Sequence, residues 1–196
     1  MSYYFDDPTH REALRIEALS WVGTPFRAYA NVKGERGGID CVRLAYSVLS
    51  NIGALPSGKK FPVYSMDFTL HSEKSPICDF IETELASHLE RLDIDSKIQP
   101  GDLLGFEIGK AVHHLALVVD DHSMLQSVKP HGTRLVSLGD TTFMKRLAVI
   151  YRVKVSGGKL PETEPEKPIL LANDYALPVG LVKKYGANFL KAFNKQ

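Results

Sequence analysis

A chain of 196 residues with 44% apolar and 24% charged residues carries enough apolar material for one globular domain with an appendage, and both values are ordinary for such a domain. The formal net charge of +1 supplies no global field for nucleic acid or an anionic membrane, and clusters such as Lys59-Lys60 and Lys183-Lys184 are too short to read as a nucleic-acid patch. No run approaches the roughly 18 apolar residues of a membrane-spanning helix, and two cysteines, Cys41 and Cys78, cannot make a disulfide framework.

The first residues, MSYYFDDPTHREALRIEALSW, are acidic and broken by charges, without the basic start and apolar stretch of a secretory signal. The expected location is therefore the cytoplasm, or outside it only if something else carries the chain there. Residues 8–22 read as a first helix: Leu14, Ala18 and Trp21 with Ile16 and Leu19 form a stripe, and Asp7-Pro8 is a start signal. Gly23-Thr24-Pro25 stops it, and a polar loop follows at 31–38. There Gly37 and Gly38 imply a close approach that side chains would forbid. Residues 40–52 read as a second helix with Val42, Ala45, Val48, Leu49 and Ile52 on its apolar face and Asp40 as N-cap. Residues 54–65 read as loop. A third helical region is expected within 67–92, on the spacing of Phe80, Ile81, Leu85, Leu89 and Leu92.

After Pro100-Gly101 the period changes to short β-rich runs, GDLLGFEI, HHLALVVD, SMLQSV and AVIYRVKV. Helices first and an antiparallel sheet afterwards define an α+β domain, expected over residues 1–155. Residues 156–168 are rich in Gly, Pro and Glu and read as a linker. Residues 169–196 form an extension ending in a short amphipathic helix pattern, Val182, Tyr185, Phe189 and Phe193. That stripe fits either docking onto the domain or a partner contact.

Cys41 stands at the start of the second helix, where free amides and the macrodipole favour a thiolate by roughly 0.3–1 kcal/mol. Such a term lowers a thiol pKa by less than about one unit, so a nucleophilic Cys41 needs a histidine from elsewhere in the chain. The same helix start offers N–H groups to a developing oxyanion, and Gly37-Gly38 would let a substrate backbone pass close. The competing reading is a small buried residue, which is also how Cys78, in SPICDFIE, is read. Of seven histidines, His10, His71 and His88 lie beside charged helical stretches and are expected to be solvated, and His122 and His131 lie in turns. His113 and His114 open a strand, where only one can face the same way as Ala116 and Val118. Adjacent strand residues diverge, and no CxxC or HxxxH spacing supports zinc on this pair with Cys41, so no metal is expected.

The segment Trp21–Leu44, WVGTPFRAYANVKGERGGIDCVRL, resembles the nucleophile region of NlpC-type, papain-like cell-wall cysteine peptidases. Its wording is similar to the branch associated with phage tails and phage-derived gene clusters. IQPGDLLGF resembles the Pro-Gly-Asp turn of that family, HHLALVV its histidine strand and AVIYRV its closing strand. The resemblance implies Cys41 as nucleophile, His114 as general base, and Gln126 as the polar group that orients the imidazole. It implies Tyr29 as an aid to the oxyanion, and Asp40 as the acidic residue before the cysteine that caps the helix or holds a substrate amine. Asp-Cys-Ser-Gly of the family is here Asp-Cys-Val-Arg, and Arg43 would meet a substrate carboxylate or lie on a solvated face. Gly38 is expected in the substrate-binding loop. The implied reaction is hydrolysis of amide bonds in peptidoglycan stem peptides through an acyl-enzyme, without metal or organic cofactor. The implied partners are the peptide substrate and phage-tail proteins, with neither nucleic acid nor membrane. A cysteine amidase or acyltransferase on another substrate, and an inactive assembly module of the same fold, are the alternatives.

Overall fold

A computed structural model describes residues 2–65 and 68–155, together with two short strands at 169–170 and 176–177. The chain divides into two units, Met1–Ser156 and Gly157–Gln196.

In the first unit a helical turn at Tyr4–Asp6 leads into α1 (Pro8–Leu19). The side chain of Asp7 accepts the Thr9 N–H at 2.8 Å, so the acidic cap and the proline beside it set the start. The helix ends at Leu19, short of the expected residue 22, and Trp21 folds back to donate its indole N–H to buried Glu17 at 2.9 Å. The polar loop contains a small ribbon of β1 (Asn31–Val32) and β2 (Gly38–Ile39).

The second helix, α2, runs from Cys41 to Asn51. Its buried residues, among them Val42, Leu44, Ala45, Val48 and Leu49, lie on more than one face, as expected of a helix placed centrally in a core. The expected third helix shrinks to α3 (Pro76–Glu84), preceded by a turn at Phe68–Leu70. Leu89–Leu92 is instead a strand, β3. Residues three apart on a strand face opposite ways, and here both faces are covered. Leu89 enters the core on the helical side of the sheet, while Leu92 packs into a second cluster on the other side. A doubly covered strand thus imitates helical spacing.

The remaining strands are β4 (Leu103–Ile108), β5 (Ala111–Val118), β6 (Ser123–Val128) and β7 (Gly132–Ser137), then a single helical turn α4 (Thr141–Met144) and β8 (Leu147–Val153). They form an antiparallel six-stranded sheet in the order β3-β8-β4-β5-β6-β7. β7 and α4 have no counterpart among the expected elements. β7 is an edge strand whose Thr133, Leu135 and Ser137 alternate weakly with Arg134 and Val136, so its apolar pattern is faint. The Pro-Gly-Asp turn explains itself in place. Gly101 has φ +90°, and a Cβ there would lie 1.9 Å from the Phe5 ring. Asp102, fully buried, takes two bonds of 2.8 Å from Arg152 on β8 and clamps the sheet's start to its end.

In the second unit, β9 (Ile169–Leu170) and β10 (Ala176–Leu177) pair antiparallel. The expected linker at 156–168 and the amphipathic pattern from Val182 to Phe193 lie outside the described residues.

Candidate active site

The site forms where β5 and β6 part. These strands pair only at Leu117–Leu125 and Val118–Met124. Beyond that point the Leu115 N–H, instead of bonding a strand partner, donates to the sulfur of Cys41 at the start of α2. Ser127, on the β6 side of the gap, donates its hydroxyl to the Ile39 carbonyl at 2.9 Å and ties β6 to the loop before α2.

Cys41 and His114 line one cleft of about 510 Å³. The sheet pleat puts His114 with Ala116 and Val118 on the face away from α2, between the rings of Phe106 at 5.9 Å and Phe143 at 5.7 Å. Its Nε2 lies 2.7 Å from Gln126 Oε1. An amide oxygen only accepts, so Nε2 carries the proton and Nδ1 is bare. The structure thus places Cys41 and His114 in the lining of one cleft, with Gln126 bonded behind His114.

Asp40 is the N-cap of α2, accepting the Arg43 N–H at 2.9 Å, and its second oxygen takes the Tyr29 N–H at 2.9 Å and Arg43 Nη1 at 2.6 Å. Arg43 is therefore neither solvated nor in the cleft. It is spent on Asp40 and lies over the rings of Tyr29 and Phe61. Tyr29 also lies outside the cleft lining. It adopts φ +61°, and its hydroxyl donates to the Tyr64 carbonyl, so it is not poised over an oxyanion. Gly38 is small for an internal reason: a Cβ would meet the Arg27 side chain at 2.4–2.6 Å. Gly37 likewise accommodates the Val32 carbonyl, so the close approach made by this pair is to the chain itself and not to a substrate.

Burial sets the protonation state. Cys41 is 9% exposed and His114 is 3% exposed. Burial pushes the Cys41 thiol up to about 12, and Asp40 adds to the rise, against the N–H groups of Leu115, Val42 and Cys41 itself. A rise from 9.0 to about 12 disfavours the thiolate by roughly 4 kcal/mol, several times what a helix start supplies. Burial also pushes His114 down to about 4, with Gln126 opposing and His113 assisting. The resting groups are a neutral thiol and a neutral imidazole, not the thiolate held by an imidazolium that a nucleophilic Cys41 with a histidine partner implies.

The rest of the lining comes from residues that the sequence did not single out for a site. Phe26, Tyr64 and Ile108 supply apolar surface, while Lys129, Arg134 and Arg146 bring cationic groups to the lining, and His131 joins them. These residues carry no motif of their own, and only the separation of β5 from β6 and the return of β7 collects them. Two other histidine expectations divide. His10 is not solvated, because its ring stacks on Tyr4 at 4.0 Å, while His131 is exposed at a turn and faces the cleft. Among the described residues, no group of three or more His, Cys, Asp or Glu side chains could hold a metal, and no helix is long and apolar enough to cross a membrane.

No known family profile matches the sequence, and no curated protein is detectably similar to it. Solved structures are similar in shape. One, from Staphylococcus aureus and described as similar to lipoprotein, NLP/P60 family, is 19% identical and superposes with a TM-score of 0.51 over 79% of this chain and 44% of its own. The chain thus spans less than half the length of that protein. Another, the NlpC/p60 domain of the peptidoglycan hydrolase SagA, is 17% identical with a TM-score of 0.44, over 71% of this chain and 96% of its own. The fold is α+β and papain-like, as in NLP/P60 proteins.

Proposed function

We propose that this chain is a cysteine peptidase of the NlpC/P60 type that hydrolyses amide bonds of peptidoglycan stem peptides. One observation carries the reading: Cys41 and His114, 73 residues apart in sequence, line one cleft, and His114 is held through Nε2 by buried Gln126 at 2.7 Å. The peptidoglycan substrate comes from the sequence resemblance of Trp21–Leu44, Ile98–Phe106 and the histidine strand.

In this reading the thiol stays protonated until substrate arrives. The Cys41 proton passes to Nδ1 of His114 as sulfur attacks the carbonyl, so charge develops only in the transition state. The N–H groups of Cys41 and Val42, which already face the sulfur, are placed to receive the oxyanion. Gln126 fixes the tautomer that keeps Nδ1 bare. The imidazolium then protonates the leaving amine, and water, deprotonated by the same imidazole, releases the acyl group. Delivery to the wall with a phage-tail-like particle is part of the proposal and rests on the wording of Trp21–Leu44 alone.

The test is release of new amines from purified peptidoglycan by the full chain and by Cys41→Ala. Release by the variant is expected to be slower by about a thousandfold or more, and equal release by the variant ends the reading.

A further inference from the structure

We infer that the cleft contains an anion subsite, centred on Arg134 with Arg146 and Lys129 at its rim, that receives a carboxylate on the amine half of the substrate. This deepens the proposed peptidase reading and rests on it.

Three features carry the inference. The first is uneven charge. The whole chain has a net charge of only +1, yet the cleft lining holds Lys129, Arg134 and Arg146 against a single acid, Asp40. Asp40 is already neutralised by Arg43 at 2.6 Å. The second is missing acceptors. Arg134 is half-buried, its Nε is buried without a partner among the described residues, and Nε2 of Gln126, opposite Arg134 across the β6–β7 ladder, also lacks one. Both atoms are donors, and buried donors without acceptors are costly. Those two atoms lie out of reach of the cleft; what the cleft meets is the rest of the Arg134 guanidinium, which makes no ion pair with an acid among the described residues and whose fork is matched to a carboxylate.

The third is position. Arg134 faces Gln126, the partner of His114, and Arg146 follows Phe143, whose ring lies against His114. Arg134 and Arg146 thus stand beside the base, which protonates the leaving amine, while Lys129 lies over the Phe26 ring at 5.6 Å. Phe26, which bridges to Ile39 in the loop before α2, and Tyr64 line the cleft with apolar rings. The amine half of a peptide amide is an amino acid or short peptide, whose own anion is a carboxylate.

Two measurements on the full chain test this. In the first, Cys41 and Cys78 are alkylated with iodoacetate and with iodoacetamide, and each site is followed by peptide mapping. The iodoacetate-to-iodoacetamide rate ratio should be greater at Cys41 than at Cys78 by about threefold or more. It should fall in Arg134→Gln and in Arg146→Gln and persist in Arg134→Lys. Arg146 is exposed, so its substitution reports on charge even where an Arg134 variant folds poorly. Equal ratios at the two cysteines, or a ratio that neither glutamine substitution changes, overturn the subsite. In the second, L-alanyl-γ-D-glutamyl-L-lysine is compared with its C-terminal carboxamide. The acid should be cut with a kcat/KM about ten- to a hundredfold higher, the range of a charge-assisted hydrogen bond, and Arg134→Gln should erase that preference. Equal cleavage of the two peptides overturns the carboxylate assignment. If neither is cut while the alkylation preference stands, the peptidoglycan reading fails and the anion subsite is upheld.

Discussion

Two helices of this chain begin beside a cysteine, and their surroundings differ. Cys41 opens α2 and Cys78 lies in the first turn of α3. Each helix has a side-chain cap, Asp40 for α2 and Ser75 for α3, and each cap satisfies an amide of the first turn. At α3 the sulfur packs against the core and meets the hydroxyl of Tyr151, itself bonded to Glu82 at 2.7 Å. At α2 the sulfur sits where two strands part, takes an N–H from one of them, and shares a cleft with a histidine. A helix start is therefore a weak criterion for a nucleophile. What distinguishes Cys41 is the gap in the sheet, which gives its sulfur backbone donors and a place in the lining of a cleft that His114 also lines.

The contrast predicts its largest effect on catalysis. His114→Ala should lower amine release by about a thousandfold or more, while Cys78→Ala should leave it within about twofold. A large loss in Cys78→Ala would mean that the two helix starts are not functionally distinct. Replacing Gln126 should cost less. Gln126→Leu keeps volume but frees the imidazole, and kcat should drop by about ten- to a hundredfold. Gln126→Glu places a carboxylate beside His114, which favours the imidazolium and raises its pKa. The acid limb of kcat/KM should therefore lie near the His114 value of about 4 in the wild type and move upward in Gln126→Glu. A wild-type limb near 6.5 would mean that His114 is not held neutral by burial.

The smallest effects concern stability. Folded His114 stays neutral down to about 4, whereas the unfolded residue takes a proton near 6.5. The unfolded state thus binds more protons in that window, and stability falls as pH drops through it. For Cys41 the sign reverses direction along the pH scale. The unfolded thiol ionises from about 9 while the folded one holds its proton toward 12, so stability falls as pH rises above 9. Each slope is at most about 1.4 kcal/mol per pH unit. Urea titrations at pH 8 and 10 should show the alkaline loss in the wild type and less of it in Cys41→Ala.

Much of the site was legible in the sequence because it lies in short local patterns. Asp40-Cys41 reads as a cap and a helix start, Pro100-Gly101-Asp102 as a turn, and the alternation of His114, Ala116 and Val118 as one strand face. What failed depends on packing. Leu89 and Leu92 looked helical because strand β3 is covered on both sides. Arg43 and Tyr29 looked available because nothing local shows that Asp40 and the Tyr64 carbonyl occupy them. The neutral state of Cys41 and His114 was not legible because burial, unlike the helix dipole, is not a local property of the sequence. The cationic lining comes from β7, the turn before it and the turn before β8, and becomes visible only when the strands are assembled.

The most direct test of the account is a double-mutant cycle on amine release with Cys41→Ala, His114→Ala and the double variant. If sulfur and imidazole act as one unit in the gap between β5 and β6, the double variant is no slower than the slower single variant. Losses that multiply across the two positions would show that each acts independently and would contradict a shared nucleophile–base pair.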